Sequence, residues 1–175
     1  MESFLYRPIG VIHSQLKDPE GAPIQTPAAG HVNGSVEIFP PYVSGLRDIE
    51  GFSSLILIYH MHLAADPLLV VTPFLDVKRH GIFSTRAPAR PNPIGLSVVT
   101  LKRVRGRRLY VQDLDVVEGT PLLDIKPYVP EFDSRLGGRV GWYAARLGRL
   151  HQVRADGRFT REPDNGRGPK IRRRG

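Results

Sequence analysis

The sequence contains no cysteine, which excludes disulfides, thiolate zinc centres and a cysteine nucleophile and suits a reducing compartment. No apolar run approaches the roughly 18 residues a membrane helix needs. The opening MESFLYRPIG also lacks the basic-then-apolar order of a secretion signal. These absences give a cytoplasmic reading with no membrane partner. Aromatic residues are few, at 8% with a single Trp, whereas Gly and Pro number 18 and 16. That balance favours many turns over long helices and argues against a helical bundle. At 175 residues with 41% hydrophobic content, the chain fits one globular core with at most a short appendage.

Acidic residues are missing where the basic ones gather. Residues 1–133 hold 13 Lys and Arg against 14 Asp and Glu; residues 134–175 hold 12 against 3, and eleven of those twelve are Arg. Arg pairs bidentately with phosphate and stacks on bases, so a polyanion partner, with RNA the leading candidate, stands beside the plainer possibility of a solvated basic end. The final GRGPKIRRRG has too little apolar surface to order itself. The division expected is a body over 1–133 and a basic extension over 134–175.

Strand patterns dominate the body. Residues 6–13 (YRPIGVIH) and 32–39 (VNGSVEIF) alternate in part, and 55–59 (LILIY) is a continuous apolar run suited to a central strand. Residues 42–49 predict one or two helical turns after two prolines. Residues 94–105 and 109–117 alternate on either side of Arg105-Gly106-Arg107 and predict a hairpin. In the extension, Val140, Tyr143, Ala144 and Leu147 follow helical spacing and predict a helix over 139–147 ended by Gly148. A short hairpin is expected to pair 151–154 with 158–160 around Asp156-Gly157.

Three clusters stand out chemically. In TRAPARPNPIGLS (85–97), Pro88, Pro91 and Pro93 fix three φ angles and restrict the residues before them. Such a segment is either a stiff connector with Arg86 and Arg90 in solvent, or a preformed binding loop presenting Arg86, Arg90 and Asn92, with Gly95 allowing a close approach. In DVVEGTPLLDIKPY (115–128), alternation puts Asp124, Lys126 and Tyr128 on one face, as a reactive cluster or an ordinary surface ion pair. His60 and His62 share a face, but no third ligand is spaced for a metal; one of them lining a pocket is the better reading.

Together these pieces resemble the TsaA-like family across most of residues 6–133: RPIGVIHS, GSVEIFPPYVSGLRDIEGFSSLILIYHMH, IFSTRAPARPNPIGLSVV and LDVVEGTPLLDIKPYVPEFD. The resemblance implies a mainly β fold, a compact antiparallel or mixed pseudo-β-barrel with a few short helices, a homodimer, and S-adenosylmethionine as methyl donor. It also implies tRNA as substrate, methylated on the exocyclic nitrogen of threonylcarbamoyladenosine beside the anticodon. Donor-binding positions carried over by the resemblance are Pro23, Ile24, Gln25, His62, Leu63, Arg90, Leu101, Glu118, Gly119, Thr120 and Pro121. The family often has Arg at the place of Ile24 and Asp at that of Glu118, so this chain lacks a cation at the first and extends the carboxylate's reach at the second.

Methyl transfer from such a donor needs alignment and electrostatics rather than a covalent nucleophile. The accepting nitrogen must lose a proton, and Asp124 and Lys126 are the candidates to help it do so. Arg86, Asn92 and Tyr128 are the candidate substrate contacts. Residues 149–175, with Trp142 and Tyr143 nearby, are expected to add affinity for an anticodon loop by charge and stacking. Two other functions fit the same residues: a methyltransferase for a small molecule, and a non-catalytic binder of S-adenosylmethionine or RNA.

Overall fold

The computed structural model describes residues 2–25 and 31–160. Six strands close into an antiparallel barrel: β1 (Gly10–Ser14), β2 (Asn33–Ile38), β3 (Ser54–His60), β6 (Ile94–Arg105), β7 (Arg108–Gln112) and β8 (Thr120–Pro127). Around the barrel the order is β1-β2-β7-β6-β3-β8. A two-stranded ribbon, β4 (Val70–Val71) with β5 (His80–Gly81), stands apart from it. One helical turn, α1 (Pro130–Asp133), follows β8. Among the described residues no helix is long and apolar enough to cross a membrane.

Alternation closes the barrel. Ile12, Val36, Ile38, Leu55, Leu57, Val99, Leu109, Val111 and Leu122 are each at most 1% exposed and pack as one core from six strands. Such burial of β-branched and leucine side chains is the main stabilising term, at about 25 cal/mol per Å² of apolar surface. The 94–105 and 109–117 hairpin forms as expected, turning at Gly106 with φ 58°, a conformation a two-residue hairpin turn assigns to glycine at its first position. Its second strand stops at Gln112, because Asp113 takes φ 68° and leaves the ladder. The turns expected at 42–49 appear as two 3-10 segments, Pro40–Leu46 and Ile49–Gly51.

The extension differs from its expected form in two places. No α-helix spans 139–147; instead there are 3-10 turns at Gly141–Ala145 and Leu147–Arg149. Gly141 has φ 59°, Val140 and Leu147 stay about half exposed, and it is Trp142 and Tyr143 that find partners, so the apolar stripe has nothing to lie on. Residues 151–160 also form no hairpin. Arg154 bridges to Pro23 and Thr160 to Ala64, and Ala65 N–H donates to the Phe159 carbonyl at 2.8 Å. The pull on this segment is Phe159, which joins a second small core with Val71, Ile82, Ala87 and Ala89 and meets Phe74 edge-on at 5.2 Å. Residues 166–175, expected to lack order, lie outside the described residues.

Candidate active site

Between the barrel mouth and the second core lies a cleft of about 460 Å³. Seven stretches line it: residues 19–25, the end of β3 with 61–64, 73–75, the proline-rich loop at 85–90, the start of β6 at 94–96, 115–120, and the C-terminal segment from Trp142 to Thr160.

The proline loop is the stiffest wall. Prolines remove donors and leave carbonyls in need of partners. Arg90 supplies one: its Nη1 donates to the carbonyls of Thr85 at 2.9 Å and Ile82 at 3.1 Å, with Ala87 O at 3.5 Å. Thr85 Oγ1 donates to Ile82 O at 2.9 Å. From outside, Trp142 Nε1 donates to Ser84 O at 2.8 Å, while its ring stacks on Tyr143 at 3.9 Å and on His80 at 4.4 Å. Arg146 reaches Asp76 at 3.3 Å, and His80 reaches the same carboxylate at 3.3 Å. Burial alone would raise the Asp76 pKa; hydrogen bonds from the Val77 and Lys78 amides, His80 and Arg146 outweigh it and hold it at about 2. Arg86 crosses to the opposite wall, donating to Gln25 Oε1 at 2.5 Å.

The barrel side of the cleft is defined by Tyr59. It pairs across the ladder with Gly95, and a Cβ built at Gly95 would lie 2.1 Å from the Tyr59 ring, so the close approach that this glycine permits is by that ring. Tyr59 Oη lies 3.0 Å from Ser97 Oγ, and Ser97 Oγ donates to Asp115 Oδ1 at 2.5 Å. Tyr59 and Asp115 line the cleft, and Ser97 sits 1% exposed between them. Burial, then the Asp115 charge, pushes the Tyr59 phenol well above its ordinary pKa. Beside it, His62 Nδ1 stands 3.4 Å from Thr120 Oγ1. Desolvation, with help from His60, lowers the His62 pKa, so the imidazole is neutral at pH 7.

Of the residues singled out from sequence, Pro23, Ile24, Gln25, His62, Leu63, Arg86, Arg90 and Thr120 meet around this cleft. Others lie elsewhere. Glu118 is tied to His13 Nδ1 at 2.9 Å, the Ser14 amide at 2.6 Å and Lys17 at 3.6 Å, which fastens β8 to β1. Gly119 takes φ 76° in the turn before β8, and Pro121 pairs with Val11. Leu101 packs against the barrel core and borders a shallow groove with Glu50 and Phe52. Asn92 accepts from the Ile94 amide at 2.7 Å through its carbonyl. Asp124 and Lys126 form a 2.8 Å ion pair on the half-exposed outer face of β8, and Tyr128 follows that strand, hydrogen-bonded by its amide to Ser54. Among the described residues no group of three or more His, Cys, Asp or Glu could hold a metal.

Tyr59, Ser97 and Asp115 are not visible as a group in the sequence. Tyr59 ends an apolar run that reads as core, and 38 residues separate it from Ser97. The usable signal is a glycine in an alternating strand, which marks a close approach without naming the partner.

The chain matches the model of the tRNA-methyltransferase O N-terminal domain over residues 11–134. It is 54% identical over 154 residues to a probable S-adenosyl-L-methionine-binding protein of Pyrococcus abyssi, covering 88% of this chain and 84% of the relative. It is 36% identical over 144 residues to the tRNA (adenine(37)-N6)-methyltransferase of Escherichia coli, covering 77% of this chain and 61% of that one. The crystal structure of TrmO from Pseudomonas aeruginosa superposes with a TM-score of 0.68 at 35% identity, over 81% of this chain and 63% of the other. The chain thus spans less than two thirds of the length of these last two relatives.

Proposed function

The chain belongs to the tRNA-methyltransferase O N-terminal domain family, and from that premise we propose that it is an S-adenosylmethionine-dependent methyltransferase acting on tRNA. The acceptor in this reading is the exocyclic nitrogen of threonylcarbamoyladenosine next to the anticodon. The observation that carries it is the cleft, which gathers the chemistry such a donor needs in one place. Its volume falls in the ordinary range for small-ligand sites, about 300–1,000 Å³. Ile24, Leu63 and Pro88 offer apolar walls for a flat ring, and Arg86 and Arg90 stand where a carboxylate can be held.

Bound there, S-adenosylmethionine would supply an electrophilic methyl group. The chain's task is to align acceptor and donor and to exclude water. The stiff 85–90 loop serves the first, because Arg90 and Trp142 hold it before any ligand arrives and reduce the ordering cost of binding. Neutral His62 serves as well, since a second cation there would oppose a sulfonium. The Arg-rich end beyond residue 133 suits a polyanionic substrate. The reading includes a homodimer, which light scattering in solution checks, and a cytoplasmic setting.

The deciding experiment incubates the protein with methyl-labelled donor and bulk tRNA from cells lacking this gene, then digests the tRNA. A labelled N6-methyl derivative of threonylcarbamoyladenosine is expected. Unlabelled nucleosides throughout would overturn the reading.

A further inference from the structure

We propose that Tyr59, Ser97 and Asp115 form a proton relay in which the Tyr59 phenol oxygen takes the proton shed by the accepting nitrogen. The inference rests on the methyl-transfer reading above and gives that reaction a route for its proton.

The direction of the relay follows from counting hydrogens. An ionised carboxylate only accepts, so the 2.5 Å contact uses the single Ser97 hydroxyl proton. Ser97 Oγ has then no proton left for Tyr59 and must accept at 3.0 Å, so the phenol O–H points inward to Ser97. Tyr59 Oη consequently has only lone pairs to offer a group in the cleft. An acceptor of that kind suits an N–H.

The environment fits transfer along the chain rather than into water. Ser97 is 1% exposed and Tyr59 9%, so bulk solvent does not compete for the proton. Burial and the Asp115 charge keep the phenol protonated at neutral pH, with Arg86 acting on it in the opposite sense. The phenol therefore passes a proton on without standing as phenolate. As the nitrogen bonds to the methyl carbon, sulfur keeps the pair of the broken bond. The N–H proton goes to Tyr59 Oη, the Tyr59 proton to Ser97 Oγ, and the Ser97 proton to the Asp115 carboxylate. One sulfonium charge and one carboxylate charge are neutralised together, and no other reactant is needed. Tyr59 is the catalytic group here; Ser97 and Asp115 act through it.

The test measures single-turnover methylation at saturating donor and tRNA, with donor affinity followed separately by calorimetry. Tyr59→Phe keeps the ring that packs on Gly95 and should slow the step by about 100-fold or more, with donor affinity within twofold of wild type. Ser97→Ala and Asp115→Asn should fall to a similar level, and Tyr59→Phe combined with Asp115→Asn should fall no further, because one chain is broken once. Independently of activity, tyrosines carrying carbon-13 at Cζ should show Tyr59 titrating above the others, and lower in Asp115→Asn. A Tyr59→Phe rate within a few fold of wild type, a parallel loss of rate and donor affinity, or a Tyr59 titration indifferent to Asp115→Asn each overturns the relay. Absence of transfer by the wild-type protein overturns the functional reading and removes the relay with it, whereas transfer matched by Tyr59→Phe overturns the relay alone.

Discussion

Gly95 faces the Tyr59 ring so closely that a single added methyl group has nowhere to go. Gly95→Ala should therefore push the ring off Ser97 and cost about 1–3 kcal/mol; urea unfolding measures it, and an unchanged midpoint refutes it. Glu118 makes a different kind of prediction. His13, then the Ser14 amide and Lys17, lower its pKa below the ordinary glutamate value. A depressed folded pKa adds stability above the unfolded value of about 4.3 and loses it as the pH falls through the lower folded value. The stability advantage of the wild type over Glu118→Gln should be full at pH 6 and shrink below about pH 4, as denaturation midpoints across that range will show. Residue types in the sequence mark both positions, but not their neighbours. Gly95 advertises a close approach, Glu118 a charge near a turn, and only strand pairing sets Tyr59 against the first and His13 against the second.

At the scale of elements, the 85–90 loop and the 141–149 turns hold each other. Arg90 satisfies loop carbonyls from inside and Trp142 braces Ser84 from outside. Arg90→Ala should take the guanidinium from the Thr85 carbonyl, while Ile82 O keeps the Thr85 amide and hydroxyl, and cost about 1–3 kcal/mol, with hydrogen exchange of the 82–90 amides speeding while the barrel amides stay protected. Trp142→Ala should loosen both partners, so trypsin should cut after Arg139, Arg146 or Arg149 sooner than in the wild type. Equal cutting rates would show that the indole bears no part of the docking. Prolines make the loop's stiffness legible in the sequence. The extension reads as a helix because its spacing is helical, while its real partners, Ser84, His80 and Asp76, come from another part of the chain. Helical periodicity specifies a helix only where a surface exists to receive its stripe.

Across the whole molecule, charge and closure separate. The strands are legible from alternation and from the Gly106 turn, and their closure into a barrel only through the family resemblance. The family segments are too, but the cleft is not, since its walls come from seven stretches that meet only in three dimensions. Residues 161–175 hold six Lys and Arg against two acids. Removing them should weaken tRNA binding and flatten its salt dependence, by about 0.7–0.9 in slope for each phosphate no longer neutralised, while leaving donor affinity intact. Removing 150–175 should abolish donor binding as well, because Ala155, Gly157, Phe159 and Thr160 line the cleft; calorimetry on both truncations separates the two roles. The bridges from Arg154 to Pro23 and from Thr160 to Ala64 also set an order of events during synthesis. A chain emerging from the ribosome can complete its barrel once β8 has cleared the exit tunnel, yet the cleft proposed to hold the donor lacks its last wall until residue 160 follows. On the proposed reading, a stalled product that stops between the end of β8 and residue 160 should be a folded barrel unable to retain methyl donor, so donor retention by ribosome-bound nascent chains of stepped length should switch on late and abruptly.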